Sequence, residues 1–176
     1  MLKYLGKPTI TFAEFPDEIA VVINITGCPC HCDSCSEPEL RQNVGQDLTD
    51  SEIIRIIKQN PGASVFGIMG GDRDHEDVAR IAKVVHAAGL KIGMYSGMDS
   101  QDPILLECLD IYKYGRWIPF RGPADTWKDQ IGGPLCLPTS NQVYLEKHDG
   151  GWTRTRDWGV QRCDACAGRK AETTGS

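Results

Sequence analysis

Three cysteines in one short loop carry the most specific chemistry in this sequence. Cys28, Cys32 and Cys35 are separated by three and then two residues. Three neighbouring thiolates can ligate three irons of a [4Fe-4S] cluster, which leaves the fourth iron without a protein ligand. An iron with an open position can bind and reduce a substrate. The spacing therefore predicts an iron–sulfur site with one exchangeable position.

Densely spaced cysteines also form structural zinc sites, and the residues leave this alternative open. Cys30 and His31 lie inside the loop, and Cys163 and Cys166 could complete a tetrahedral zinc site. Zinc knuckles usually pair two short hooks of two ligands each, whereas here three staggered thiols directly follow an apolar segment. We therefore favour iron and sulfide, with Cys30 as a cysteine that the spacing does not require.

Two further segments have side chains or backbone groups that suit ligand binding. Gly70 and Gly71 leave the backbone open to close approach, and the carboxylate of Asp72 beside them can receive an ammonium group. Ser96 has a hydroxyl that could bind a ligand, although a role as a turn residue is equally compatible with its position. Lys113 on the fourth predicted strand could face the same site, but a strand lysine is more often solvated at a sheet edge, and this is the position we expect.

Short apolar runs that alternate with amphipathic segments must position these residues. The pattern predicts strands over residues 20–26, 64–69, 90–95 and 110–114, and helices over 49–60, 74–88 and 101–109. The first strand is expected to be buried on both faces of a parallel sheet. Strands and helices in alternation indicate an α/β fold. Since about four units cannot close an eight-stranded barrel, we expect an open, partial (βα) barrel with its functional loops at the carboxyl ends of the strands.

The pattern changes after Trp117, where the chain becomes rich in proline and glycine. Residues 141–147 and 152–158 are joined across residues 148–151, which contain Asp-Gly, and predict a C-terminal β-hairpin. We expect one domain over residues 1–162 and a flexible tail over 163–176. The sequence assigns no role to a further group of cysteines, which are Cys30, Cys108, Cys136, Cys163 and Cys166.

Composition and charge argue against several classes of function. A chain of 176 residues is expected to form one domain that buries roughly 70% of its unfolded surface. Its net charge of −5 argues against nucleic-acid binding. The longest apolar stretch, residues 19–25, is far shorter than the ~20 residues of a membrane helix. No apolar signal segment starts the chain, so we expect a soluble cytoplasmic protein with reduced thiols.

The C-x3-C-x2-C spacing resembles the signature of the radical S-adenosylmethionine (SAM) superfamily, whose open iron is chelated by the amino and carboxylate groups of SAM. The Gly-Gly-Asp segment resembles the superfamily's Gly-Gly-Glu motif for the SAM amino group, with Asp in place of Glu. Ser96 stands where a hydroxyl often meets the ribose or carboxylate of SAM. The resemblance implies a [4Fe-4S] cluster and SAM as cofactors, bound by Cys28, Cys32 and Cys35 and by Gly70, Gly71, Asp72 and Ser96.

Later segments are similar to those of small activating proteins of anaerobic ribonucleoside-triphosphate reductase, over about residues 20–145. They occur in the family's order and comprise Tyr95-Ser96-Gly97, residues 105–116 and residues 137–142. This resemblance implies reductive cleavage of SAM with an electron from an external donor such as flavodoxin. A hydrogen is then removed from a glycine of a partner glycyl-radical enzyme, the large subunit of anaerobic ribonucleotide reductase.

The chain also departs from these patterns. Ser34 stands where many radical SAM proteins have an aromatic residue, and Pro138-Thr139-Ser140 replaces the Arg-Gly-Ser that precedes Asn-Gln in the activating proteins. Two alternatives remain at this point. One is a radical SAM enzyme that acts on a small molecule or peptide, similar to deazaguanine synthases. The other is a non-catalytic zinc-binding module that contacts another protein.

Overall fold

The computed structural model describes residues 1–33, 35–118 and 141–154. Three α-helices lie in this part of the chain: Asp50–Gln59 (α1), His75–Ala87 (α2) and Pro103–Cys108 (α3). A short 3-10 turn covers Pro38–Arg41. The strands described are Lys3–Thr11 (β1), Ala20–Ile25 (β2), Gln46–Asp47 (β3), Val65–Met69 (β4), Lys91–Tyr95 (β5), Ile111–Tyr114 (β6), Val143–His148 (β7) and Gly151–Arg154 (β8).

The strands form one mixed sheet in the order β3-β1-β2-β4-β5-β6-β7-β8. The four central strands β2, β4, β5 and β6 are parallel. Two strands on either side pair antiparallel with their neighbours. β3 and β8 lie at opposite ends of the order, so the sheet is open over the described residues. The predicted α/β class and open sheet are confirmed.

The predicted βα units form with boundaries shifted by one or two residues. Each α-helix begins after a polar residue, Thr49, Asp74 or Asp102, whose side chain accepts a hydrogen bond from a backbone amide of the first turn. Gly89 follows α2 with φ of 82°, a left-handed conformation that commonly ends helices. These local signals explain why the sequence placed the helices well.

The C-terminal hairpin is also confirmed over the described residues. β7 and β8 pair antiparallel, and His148 lies opposite Gly151. The two residues between them, Asp149 and Gly150, have φ values of 48° and 80°. Positive φ at both central residues is what a two-residue hairpin turn of type I′ requires, and Asp-Gly is well suited to it.

β1 and β3 were not predicted from the sequence, and the pairing of β1 with β2 changes the environment of β2. β1 contains Gly6 and Pro8 and has a register shift between Leu5 and Thr9, so it lacks a regular strand pattern. Burial of β2 on both faces was expected, and this is wrong. Asn24 is exposed and Val22 is only half-buried, and none of the described helices contributes to the cluster on that face of β2.

The two faces of the sheet are buried in different ways. One face packs against the helices and forms the larger core, to which alternate strand residues such as Phe66 and Met94 contribute. On the other face a smaller cluster contains Tyr144 and the fully buried ring of Phe15. The Phe15 ring can approach the sheet because Gly67 and Gly93, a cross-strand pair, have no side chains. A Cβ on Gly93 would lie 2.2 Å from the Phe15 ring.

Some sequence predictions concern residues outside the described ranges. These are the predicted tail over 163–176, the second half of the strand predicted over 152–158, and the thiols of Cys136, Cys163 and Cys166. Among the residues that are described, none of the helices combines the length and the apolar character needed to cross a bilayer.

We predict that Gly93→Ala destabilises the protein by about 1–3 kcal/mol, because the new methyl group must displace the buried Phe15 ring. The measurement is the free energy of unfolding in urea. Gly62→Ala is the matched control, since a Cβ at Gly62 would meet nothing within 4 Å. Equal effects of the two substitutions would contradict the account of this face.

Candidate functional site

The carboxyl ends of the parallel strands meet at one edge of the sheet. Met69 lies opposite Tyr95, and Tyr95 lies opposite Lys113 in the next pair. Backbone hydrogen bonds continue this alignment past the strand ends, since the Gly70 amide donates to the Tyr95 carbonyl at 2.8 Å and the Ser96 amide donates to the Lys113 carbonyl at 2.8 Å. The loops after β4 and β5 therefore start side by side.

The cysteine loop follows β2 at the same edge and is anchored by the segment that comes after it. The Cys28 amide donates to the Leu40 carbonyl at 3.0 Å. The Arg41 guanidinium donates to the Cys32 carbonyl at 2.7 Å. Both partners belong to the 3-10 turn, which therefore holds the loop over the end of the sheet.

A cavity of about 220 Å³ opens where these loops meet. Six of the seven predicted site residues line it: Cys28, Cys32, Cys35, Gly70, Asp72 and Ser96. The seventh, Gly71, faces the helix-side core, where a Cβ would lie 3.0 Å from Val78. Gly71 has a φ of 121°, a backbone conformation that residues with a side chain rarely adopt, and this explains why glycine is needed at this position. Its role is therefore conformational, and it is not part of the cavity wall.

The three cysteines share this cavity without forming a closed ligand shell. Over the described ranges, no three His, Cys, Asp or Glu side chains are arranged as a ready metal site. All three thiols are nevertheless free and half-buried, and all line the same space. Iron–sulfur clusters are bound through cysteine thiolates, so these three thiols fit such a cluster both in chemical type and in position.

Asp72 is a firmly held polar side chain of the cavity. Its Oδ1 accepts a hydrogen bond from the Ser96 hydroxyl at 2.6 Å, and its Oδ2 accepts one from the Gly97 amide at 3.0 Å. Burial raises the pKa of Asp72, while the Ser96 hydroxyl, the Gly97 amide and the nearby His75 oppose this rise. A desolvated and oriented carboxylate is well suited to bind a cationic group.

Ser96 has a structural role that connects two loops. Its hydroxyl donates to Asp72 and accepts a hydrogen bond from the Met98 amide at 3.0 Å. The side chain is only 3% exposed. Ser96 is therefore a turn residue, one of the two roles that the sequence left open, and it also supports the Asp72 carboxylate.

Lys113 was expected to be solvated at a sheet edge, and this is wrong. β6 lies between β5 and β7, and Lys113 is buried at 7% exposure. The side chain lines the cavity, and its Nζ lies 4.5 Å from the centre of the Tyr95 ring, in cation–π contact. The strand pattern of the sequence indicated that Lys113 is buried. Lys113 is two residues after the buried Ile111, so both side chains lie on the same face of the sheet.

Cys30 also belongs to the site, although the spacing did not require it. Its thiol lies 3.9 Å from Asp72 Oδ2 and 3.9 Å from Met98 Sδ. A hydrogen bond from the Cys30 thiol lowers the pKa of Cys28 to about 6, and the same bond raises the pKa of Cys30. The lowered pKa favours the thiolate of Cys28, the form in which cysteine binds metals.

Comparison with known proteins finds no matching family model, no matching curated protein and no matching solved structure. Function therefore has to be argued from the chemistry of the site. One cavity is lined by three thiols, a desolvated carboxylate and a buried lysine, and the function is inferred from these groups.

We predict that iodoacetamide alkylates Cys28 more than about tenfold faster than Cys108 at neutral pH, since the thiolate is the nucleophile. The hydrogen bond from Cys30 lowers the pKa of Cys28, whereas burial raises the pKa of Cys108 to about 11. Peptide mass spectrometry of the metal-free protein over a time course gives both rates. Cys30→Ala should slow the labelling of Cys28 at neutral pH, and an unchanged rate would contradict the assigned hydrogen bond.

We predict that Asp72→Asn raises the free energy of unfolding at neutral pH by about 1 kcal/mol, as functional sites often sacrifice stability. Burial raises the pKa of Asp72 in the folded state, so its ionisation destabilises the fold. The penalty is absent below the ordinary carboxyl pKa of about 3.9 and is complete above the raised value, so the gain should shrink as pH falls.

Urea denaturation at several pH values measures this difference. Asp149→Asn, in the exposed hairpin turn, is the control and should change stability little at any pH. A loss of stability in Asp72→Asn that does not depend on pH would contradict the assignment.

Proposed function

We propose that this chain is a radical SAM activating enzyme that generates a glycyl radical on a partner enzyme. We propose the large subunit of anaerobic ribonucleoside-triphosphate reductase as that partner. One observation carries the proposal: the cavity at the strand ends is lined both by the three cysteines of the C-x3-C-x2-C loop and by Gly70, Asp72 and Ser96. Two sequence segments that resemble two parts of one cofactor site thus lie in one place.

Cys28, Cys32 and Cys35 would hold the [4Fe-4S] cluster and leave one iron for SAM. When bound, such a cluster supplies the single electron that cleaves the SAM sulfonium reductively. The lowered pKa of Cys28 keeps this thiol in its ligating form at neutral pH. Cys30 stabilises that thiolate as a hydrogen-bond donor, which is a supporting role rather than a ligand's role.

Asp72 and Lys113 offer opposite charges to the two ends of an amino acid. The carboxylate of Asp72, oriented by Ser96 and Gly97, would accept a hydrogen bond from the amino group of SAM, whose nitrogen would bind the open iron. Lys113 is a buried cation in the same cavity and can receive the SAM carboxylate. The cavity is therefore complementary to the zwitterionic methionyl part of SAM.

We propose a partial (βα) barrel of the radical SAM type as the finer description of the fold. In its support, the cysteine loop and the loops after β4 and β5 meet at one edge of four parallel strands. Met69, Tyr95 and Lys113 lie on the face that the described helices do not cover. We propose that a loop of the partner protein reaches the cavity from this side.

Radical transfer to the partner is the experiment that tests this proposal. The protein is reconstituted anaerobically with iron and sulfide and mixed with SAM, reduced flavodoxin and the reductase large subunit. We expect a glycyl doublet by electron paramagnetic resonance. A partner variant with alanine at the radical glycine is the control and should give no signal.

The other outcomes of this experiment favour the alternatives. SAM cleavage without a partner-dependent signal would support an enzyme that acts on a small molecule or peptide. Protein that binds zinc and takes up no sulfide would replace the enzyme proposal with a zinc-binding module.

We predict that alanine at Cys28, Cys32 or Cys35 removes most of the bound iron and slows SAM cleavage by more than about 100-fold, since loss of a ligand exceeds the effect of supporting residues. Cys30→Ala should retain the iron and most of the activity. Iron and sulfide assays with chromatography of 5′-deoxyadenosine measure both. A Cys30→Ala protein without iron would make Cys30 a ligand and contradict the ligand set.

A further inference from the structure

Behind Asp72, a second pair of polar side chains joins the loops that follow β4 and β5. His75 is the first residue of α2, and Asp102 caps α3. The Nδ1 of His75 lies 3.1 Å from Asp102 Oδ2, while Asp102 Oδ1 accepts the Ile104 amide at 2.8 Å. The pair thus spans the same two loops whose tips carry Asp72 and Ser96.

The other nitrogen of His75 is the observation that singles this pair out. Nε2 is buried and has no hydrogen-bond partner among the described residues. An unpaired buried polar atom is destabilising, so local stability alone does not account for an imidazole at this position. His75 is also close enough to Asp72 to lower the pKa of that carboxyl.

The hold on Asp72 depends on how far apart the two loops are. Asp72 lies in the loop after β4, whereas both of its donors, Ser96 and Gly97, lie in the loop after β5. A hydrogen bond weakens steeply once donor and acceptor move apart or out of line. A bridge between the starts of α2 and α3 is therefore well placed to maintain both bonds.

We propose that His75 and Asp102 are positioning residues, which hold the Asp72 carboxylate in the orientation in which it accepts a hydrogen bond from the amino group of the ligand. This inference rests on the proposed function, because it takes SAM as that ligand. Asp102 fixes the imidazole through Nδ1, and the imidazole fixes the first turn of α2 against the start of α3. Neither residue contacts the reacting atoms.

The first test needs no cofactor and measures the Gly97 amide directly. In His75→Leu, hydrogen exchange of this amide in the folded, metal-free protein should accelerate about tenfold, since its bond to Asp72 opens more often. His86→Leu is the matched control, because His86 also lies on α2 and pairs with an aspartate, Asp110, at 2.7 Å. It should leave Gly97 unchanged. Unchanged exchange in His75→Leu would overturn the inference.

Two further variants keep this test decisive. Asp102→Asn retains a side chain that can cap α3 but weakens the hold on the imidazole, and it replaces His75→Leu if that variant does not fold. His75→Asn keeps an amide donor for Asp102 and should restore slow exchange at Gly97. If the Gly97 amide exchanges as fast in His75→Asn as in His75→Leu, His75 only fills space and the inference is wrong.

The second test measures ligand binding to the reconstituted protein, with iron and sulfide contents matched to wild type. We expect His75→Leu to bind SAM about tenfold more weakly than wild type does. The two proteins should bind an analogue that lacks the amino group with equal affinity. An equal loss for both ligands would overturn the inference. If wild type binds no SAM, the proposed function fails, and the Gly97 exchange still decides whether the pair positions Asp72.

Discussion

The parallel pairing of β2, β4, β5 and β6 is the constraint on which the site depends. Its register sets Met69, Tyr95 and Lys113 side by side, so the loops that follow these strands must start at one edge of the sheet. A shift of one residue would turn Lys113 towards the helix-side core and move Asp72 away from Ser96. The hydrophobic alternation that builds the core therefore also assembles the cavity.

The site combines desolvation with a small number of strong hydrogen bonds. Burial raises the pKa of Asp72, but two donors oppose this rise and orient the carboxylate, and the neighbouring Cys30 lowers the pKa of Cys28. Each group is thereby positioned to bind a cation or a metal. Burial of Lys113 against Tyr95 adds the opposite charge within the same space. Such an arrangement makes sense if a zwitterionic ligand completes it.

Local signals explain which features the sequence predicted. The helix caps Thr49 and Asp102, the Asp149-Gly150 turn and the apolar runs of β4 and β5 each act over a few residues, so they can be read directly. β1 was missed because it contains Gly6 and Pro8 and owes its strand conformation to pairing with β2. The bridge from His75 to Asp102 joins two loops, and no local pattern shows how far apart two loops will lie.

The most direct test of the account is whether the amino and carboxylate groups of SAM coordinate the open iron. Reconstituted, reduced protein is mixed with SAM that carries 15N in the amino group and 17O in the carboxylate, and examined by electron–nuclear double resonance. The account predicts hyperfine coupling from both labels. A cluster with four protein thiolates and no coupling from either label would contradict it.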